Sequence, residues 1–251
     1  MFPILVKLGP VELRSYSVMV AIAFLAGAYL AGGEAKRRGI NPELVNQFIF
    51  YVLLAGLIGA RLYYVAFYDL GGFLRRPFEI LAIWKGGLAL HGGLIAGLLT
   101  GIWFCRKNRV PFWQFADTLA PAIILGQAIG RLACFLNGDA YGRPTNLPWA
   151  VIFTDPNSMA PLGVPLHPTQ LYELGLDLVL FFILWSMRAR TSYSGQVFLT
   201  YASGYALIRL IVENFRGDKL QIAGAISAAQ VISGIILIGA LSALYFLRKR
   251  V

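Results

Sequence analysis

Three residues stand where charge is costly and chemistry is at home: Arg131, Arg209 and His91, each inside or at the end of an apolar run. Ionisable side chains in such runs persist where they meet a partner or face a cavity. Arg131 lies in GRLACFLNGDAYGRPT, residues 130–145. Gln127 precedes it by one helical turn, and Cys134 and Asn137 continue roughly the same face. Arg209 lies in VFLTYASGYALIRLIVENFR, where Tyr205, Arg209 and Glu213 fall at i, i+4 and i+8 and form one polar stripe. A guanidinium offers a planar fork of donors matched to phosphate. Two of them on different helices predict a shared anionic ligand. Simpler readings stay open: Arg131 snorkelling to an interface or pairing with an acid, and Arg209 pairing with Glu213 for structure.

His91, in LALHGGLIAG, is the residue type most used as a general base near neutral pH, and the glycines after it leave room for a substrate chain. It is equally readable as a satisfied polar residue. His167, in HPTQLYE, is expected to help start a helix that Thr169 caps, with Tyr172 and Glu173 close behind. Glu173 and Asp177 are one turn apart and are expected to pair with arginines of the bundle; Arg61 also needs a partner, and Asp177 is one choice. Tyr16 reads as an interfacial aromatic or as a functional residue.

The elements that position these residues follow from composition. Hydrophobic residues are 58% of the chain and charged residues 14%, far from the average soluble domain. The fold class is all-α and polytopic, one transmembrane domain over residues 1–251. Seven stretches are long and apolar enough to cross ~30 Å of hydrocarbon: Tyr16–Gly33, Val45–Phe67, Leu88–Cys105, Phe115–Leu136, Gln170–Met187, Gln196–Val212 and Ile222–Leu247. They are continuous runs, not the alternation of a membrane barrel. The net charge of +10 raises the question of nucleic acid, and the placement of the charge answers against it. Lys36, Arg37 and Arg38 follow the first span; Arg106, Lys107 and Arg109 the third; Arg188 and Arg190 the fifth; Arg248, Lys249 and Arg250 the seventh. Basic clusters after every odd span predict an outer N-terminus and a cytoplasmic C-terminus.

The first span is not read as a signal peptide, because its leader contains Glu12 and its basic cluster follows it. No metal-ligand spacing is present, and Cys105 and Cys134 fall at opposite ends of their spans, which argues against a disulfide. The longest connection, 137–168, is rich in Pro, Gly and Asn yet keeps Trp149, Val151, Ile152 and Phe153, so an ordered outer arm is expected. A second outer segment, Asp69–Gly87, carries FEILAIW, suited to lying flat at an interface. Gly93, Gly97 and Gly101, with Gly56 and Gly59, read as close helix packing.

With those residues in place, the chain resembles the bacterial prolipoprotein diacylglyceryl transferase family. GRLACFLNGDAYGRP resembles its signature, LALHGGLIAG its histidine motif, and HPTQLYE and YALIRLIVENFR match further blocks in the same order, from near Tyr16 to about Asp218. The resemblance implies transfer of the diacylglyceryl group of phosphatidylglycerol to the thiol of the lipobox cysteine in a prolipoprotein signal peptide. A thioether forms and glycerol phosphate leaves, at the outer leaflet of the bacterial cytoplasmic membrane and without a cofactor. His91, Arg131 and Arg209 are then the catalytic candidates. Arg131, Tyr16, Asn137, Asp139, Gly142, Arg143, Tyr205 and Glu213 are the substrate-binding ones. The signature often has asparagine where this chain has Cys134 and glutamate where it has Asp139. The rival reading is a transporter with a charged central cavity; missing repeats and polar groups gathered at one membrane face weigh against it. An intramembrane serine protease lacks its motif here, and a bare scaffold leaves Arg131, Arg209 and His91 unexplained.

Overall fold

A computed structural model describes residues 2–8, 11–68, 70–219, 221–223 and 226–249. Asp69 and Arg250 lie outside the described residues. The chain forms α1 (Ser15–Arg37), α2 (Pro42–Tyr68), the short α3 (Leu70–Arg75), α4 (Leu90–Lys107), α5 (Phe112–Asn137), α6 (Thr169–Met187), α7 (Gln196–Val212) and α8 (Ala228–Arg248). Each of the seven expected spans coincides with one of these helices. Five of them (α1, α2, α5, α6 and α8) are long and apolar enough to cross a membrane, whereas α4 and α7 have 18 and 17 residues. Leu25, Phe50, Phe182 and Ile238 each leave more than half of their surface uncovered, a pattern that water would penalise and lipid would not.

The expectation of an all-helical chain needs correction at three places. β1 (Ile4–Leu8) pairs with β2 (Val11–Arg14), β3 (Val151–Ile152) with β4 (Pro165–Leu166), and β5 (Gln221–Ala223) with β6 (Ile226–Ser227), all antiparallel. In the first hairpin Lys7 and Glu12 face each other across the strands at 3.0 Å, and that contact lowers the Glu12 pKa. The last expected span starts late: β5 and β6 occupy residues 221–223 and 226–227, and Ser227 then caps α8. Its side chain accepts from Gln230 N while the Gln230 side chain accepts from Ser227 N, a reciprocal capping box.

The described residues divide into two compact units, Met1–Ala31 with Ala116–Val251, and Gly32–Phe115. In the first unit α5, α6 and α7 share a core of Ala120, Ile124, Leu180, Leu184, Val197, Ile208 and Val212. Asp117, fully buried on α5, accepts the amides of Gly195 and Phe198 at 2.8 Å each. It thereby satisfies the opening turn of α7, where no side chain of that helix does so, and sets a negative charge at the positive end of its dipole.

In the second unit α2 and α4 pack through glycine. A Cβ on Gly92 would stand 2.2 Å from the Gly59 carbonyl oxygen, and one on Gly59 2.4 Å from the Ala96 side chain. The close-packing reading is therefore borne out at Gly59, whereas a Cβ on Gly56 would meet nothing within 4 Å and one on Gly97 or Gly101 only atoms at 3.5–4.0 Å. Phe48, Phe104 and Phe115 close one end of the unit, with ring centroids 5.2–5.8 Å apart. At the other end Arg61 donates to four backbone carbonyls, those of Glu79, Ile80, Gly86 and Gly87, at 2.6–2.9 Å. The guanidinium fork thus gathers the segment 79–87, and the suggested pairing of Arg61 with Asp177 is replaced by this set.

Asp117→Ala strands two buried amides. It should cost about 1–3 kcal/mol, read as a lowered unfolding midpoint in detergent, with Asp117→Asn costing less because one acceptor oxygen remains.

Candidate active site

Three helices of the first unit each deliver one part of a buried ionic cluster. α5 supplies Arg131, α6 supplies Glu173, and α7 supplies Tyr205 and Arg209, with Glu213 in the single turn that follows. Arg131 Nη2 lies 2.6 Å from Glu173 Oε1, and Arg209 Nη1 lies 3.3 Å from Glu173 Oε2. Arg209 Nη2 reaches Glu213 Oε2 at 2.8 Å, one helical turn away. The Tyr205 hydroxyl accepts from Arg131 Nη2 at 3.3 Å and donates to Glu173 Oε1 at 3.2 Å. Both acids are 2% exposed, and the two arginines 18% and 17%. The carboxylates are sealed, and the guanidiniums form the accessible side of the cluster.

The two arginines expected to share an anion are therefore brought together, through Glu173, whose expected pairing with arginines of the bundle is present. Arg131 commits Nη2 and keeps Nε and Nη1 without a partner among the described residues; Arg209 keeps Nε. Asp177 does not pair as expected: it is fully buried, and neither carboxylate oxygen has a hydrogen-bond partner among the described residues. On the α5 side Gln127 accepts from the Tyr201 hydroxyl at 3.2 Å, which extends the polar face one turn from Arg131.

The end of α5 continues into a folded loop. Asn137 is buried; its amide donates to Asp139 Oδ1 at 2.9 Å and contacts the Met159 sulfur at 3.4 Å. Cys134 is buried beside the Asp139 carboxylate, so the two positions where the chain departs from the family signature are neighbours in space. Tyr16, at the start of α1 and 41% exposed, lies within electrostatic reach of Arg131, Cys134 and Asp139. The expected order in residues 137–168 is present: Phe153, Ala160 and Leu166 form a small core of their own.

Gly142 is where this loop is laced to the chain after α7. A Cβ there would stand 2.3 Å from the His167 carbonyl oxygen. Gly142 N donates to that oxygen, Arg143 N donates to Phe215 O at 2.8 Å, and Gly217 N donates to Tyr141 O at 3.0 Å. The Arg143 guanidinium lies over the Phe215 ring at 5.7 Å. His167 Nδ1 lies 3.2 Å from the Tyr172 hydroxyl, which also accepts from Trp149 Nε1 at 2.7 Å. Burial first, then the charge of Arg143, lowers the His167 pKa, so the ring is neutral near pH 7. Thr169 does not cap α6 as expected; its hydroxyl donates to Ala140 O at 2.8 Å and ties the helix start to the loop.

His91 belongs to the second unit, in the first turn of α4. Its exposed ring lies 6.1 Å from that of Tyr63, and it makes no hydrogen bond among the described residues. The space expected beside it for a substrate chain is filled: Gly92 and Gly93 receive the backbone of α2 at Gly59 and Gly56.

Comparison with known proteins agrees with these motifs. The family model for prolipoprotein diacylglyceryl transferase matches residues 3–246. A phosphatidylglycerol–prolipoprotein diacylglyceryl transferase of Trichormus variabilis is 41% identical over 99% of this chain and 91% of its own length. Proteins of the same name from Bordetella avium and Geobacter sulfurreducens are 41% and 37% identical, over 92% and 99% of this chain and 89% and 96% of theirs.

Glu173→Gln keeps the shape of the side chain and removes the charge between two guanidiniums. Loss of one partner from a buried pair should cost about 3 kcal/mol, the low end for such a change because both arginines keep some exposure. Chemical unfolding in detergent measures it, and wild-type stability would show that Glu173 does not hold the cluster.

Proposed function

The chain belongs to the prolipoprotein diacylglyceryl transferase family, and from that premise we propose that it moves the diacylglyceryl group of phosphatidylglycerol onto the thiol of a prolipoprotein's lipobox cysteine. The observation that carries the reading is the convergence of Arg131 and Arg209 on one point from two helices, in the motifs that bear the resemblance. A transporter has no support from relatives that are named as transferases along nearly their whole length.

In this reading seven helices (α1, α2 and α4–α8) form one transmembrane domain in a bacterial inner membrane. The basic residues after α1, α4, α6 and α8 then face the cytoplasm, and the folded segment 137–168 lies on the outer side. A lipid phosphate enters from the outer leaflet and takes the free Nε and Nη1 donors of Arg131 and the Nε of Arg209. Tyr16, Asn137, Asp139, Gly142, Arg143, Tyr205 and Glu213 surround it or hold the arginines. A sulfur–carbon bond forms at the glycerol carbon of the lipid as its carbon–oxygen bond to phosphate breaks. The electron pair of that bond goes to the departing glycerol phosphate, where charge builds. Fixed guanidiniums stabilise that charge more strongly in a water-poor site than in water. The attacking thiol has an ordinary pKa of about 8.5, so a base must take its proton. His91 is that base, a histidine with no hydrogen bond of its own among the described residues.

Purified protein mixed with phosphatidylglycerol and a lipobox peptide should yield a peptide heavier by one diacylglyceryl group, read by mass spectrometry. No adduct across a range of detergents would end the proposal. Arg131→Lys should lower the rate roughly 10²-fold or more, as for loss of one oriented donor at developing charge. A full rate with lysine would refute the forked-donor argument. His91→Gln should remove the acidic limb of the pH–rate profile, whereas an unchanged profile assigns the proton to another group.

A further inference from the structure

The second unit holds two helix ends built alike. After α1, Ile40 N donates to Ala35 O at 2.9 Å and Gly39 N to Lys36 O at 3.2 Å. After α4, Val110 N donates to Cys105 O at 3.0 Å and Arg109 N to Arg106 O at 3.3 Å. Both are Schellman closures, whose central residue adopts the left-handed conformation and is usually glycine. It is Gly39 in one, with φ 71°, and Arg109 in the other, with φ 54°. Proline stands at the start of the next helix in both, as the first residue of α2 (Pro42) and just before α5 (Pro111), so the two turns are closely similar devices. A side chain at that position is strained, and the strain persists only where something else repays it.

The charges differ as well. Behind Gly39, Arg37 and Arg38 both bond the buried Glu34 carboxylate, at 2.8 and 2.9 Å. Beside Arg109 no acid answers among the described residues. Lys107 is engaged by aromatic rings, 4.9 Å from Trp103 and 5.6 Å from Tyr51. The Arg106 and Arg109 side chains make no hydrogen bond, ion pair or ring contact among the described residues. Both residues line one open cavity of about 640 Å³ at the turn that follows α4, whose other walls include Leu98, Ile102, Val110 and Phe112.

We propose that this cavity binds an anionic phospholipid, its phosphate held between Arg106 and Arg109 and its acyl chains lying along Leu98, Ile102 and Phe112. Two unpaired forked donors fix the charge and shape of the headgroup. The apolar wall selects a lipid over a free phosphate ion. The strained backbone at Arg109 is the cost of bringing the second arginine to the same cavity. The site lies wholly within residues 98–112 and does not rest on the transferase reading.

The test uses full-length protein in lipid nanodiscs containing a trace of phosphatidylglycerol or phosphatidylcholine with a photoreactive acyl chain. Cross-linked peptides are mapped by mass spectrometry. In the wild type, phosphatidylglycerol should label residues 98–112 well above phosphatidylcholine. Arg106→Gln/Arg109→Gln should lower the phosphatidylglycerol label about tenfold, the effect of losing roughly one charge-assisted bond. Arg109→Gly suits the left-handed turn, so its fold is secure, and it should lower the label as well. Equal labelling by the two lipids in the wild type, or undiminished phosphatidylglycerol labelling in Arg109→Gly and in the double variant, would overturn the proposal.

Discussion

One carboxylate, Glu173, holds two guanidiniums that arrive on different helices, and much of the first unit depends on that contact. Burying a charge is tolerable when its partner comes with it, and ruinous when the partner is missing. Arg131 therefore constrains the rotation of α5 against α6, and Arg209 constrains α7 against α6. The apolar core of the same three helices is built of alanine, leucine, isoleucine and valine, which tolerate several packings. The ion pairs do not, because a helix rotated by one residue would leave Glu173 without its donors. Hydrophobic burial drives these helices together, and the ionic cluster fixes the register in which they meet.

The same contact meets the difficulty of handling an anionic lipid. An arginine pair with no counter-charge would be costly to bury and would repel itself. Glu173 and Glu213 bring the formal charge of the cluster to zero if Asp177 is left aside, and they do so from the sealed side. The donors left over, on Arg131 above all, lie on the partly exposed side. A carboxylate and a phosphodiester accept from a guanidinium in similar forked geometry. An arriving phosphate thus meets donors already oriented by the acid behind them. Tyr205, which accepts from Arg131 while donating to Glu173, ties that orientation to the backbone of α7.

The long elements were legible because each hydrophobic run ends where polar or basic residues begin, and all seven runs became helices. The small sheets were not, since strands of two to five residues leave almost no periodicity to read. Within the site, Arg131, Arg209, Tyr205 and Glu213 were found by the cost of polar groups in apolar helices. That argument cannot rank acids: Glu173 and Asp177 sit one turn apart on the same face, and only three-dimensional packing gives one of them two arginines and the other none. Arg61 misled in a related way. A buried guanidinium was matched with a carboxylate, whereas four carbonyls of a nearby segment satisfy it. Backbone acceptors carry no signal in a sequence.

Glycine shows the same limit and also its use. Next to His91, Gly92 and Gly93 read as room for a ligand, but a helix can fill such room as readily as a substrate, and α2 does. At Gly142 the missing side chain admits another stretch of backbone, the carbonyl of His167. The neighbouring bonds, from Arg143 to Phe215 and from Gly217 to Tyr141, then place the loop after α5 against the chain after α7. Those are the helices that carry Arg131 and Arg209. Spacing between Arg131 and Gly142 in the signature thus has a mechanical meaning: it is the length of chain needed to leave the arginine, turn at Asn137–Ala140, and cross His167 at a point where only a glycine fits. Any larger residue there would push the loop after α5 away from His167, at the lead-in to the helix that carries Glu173, however well it resembled glycine in polarity.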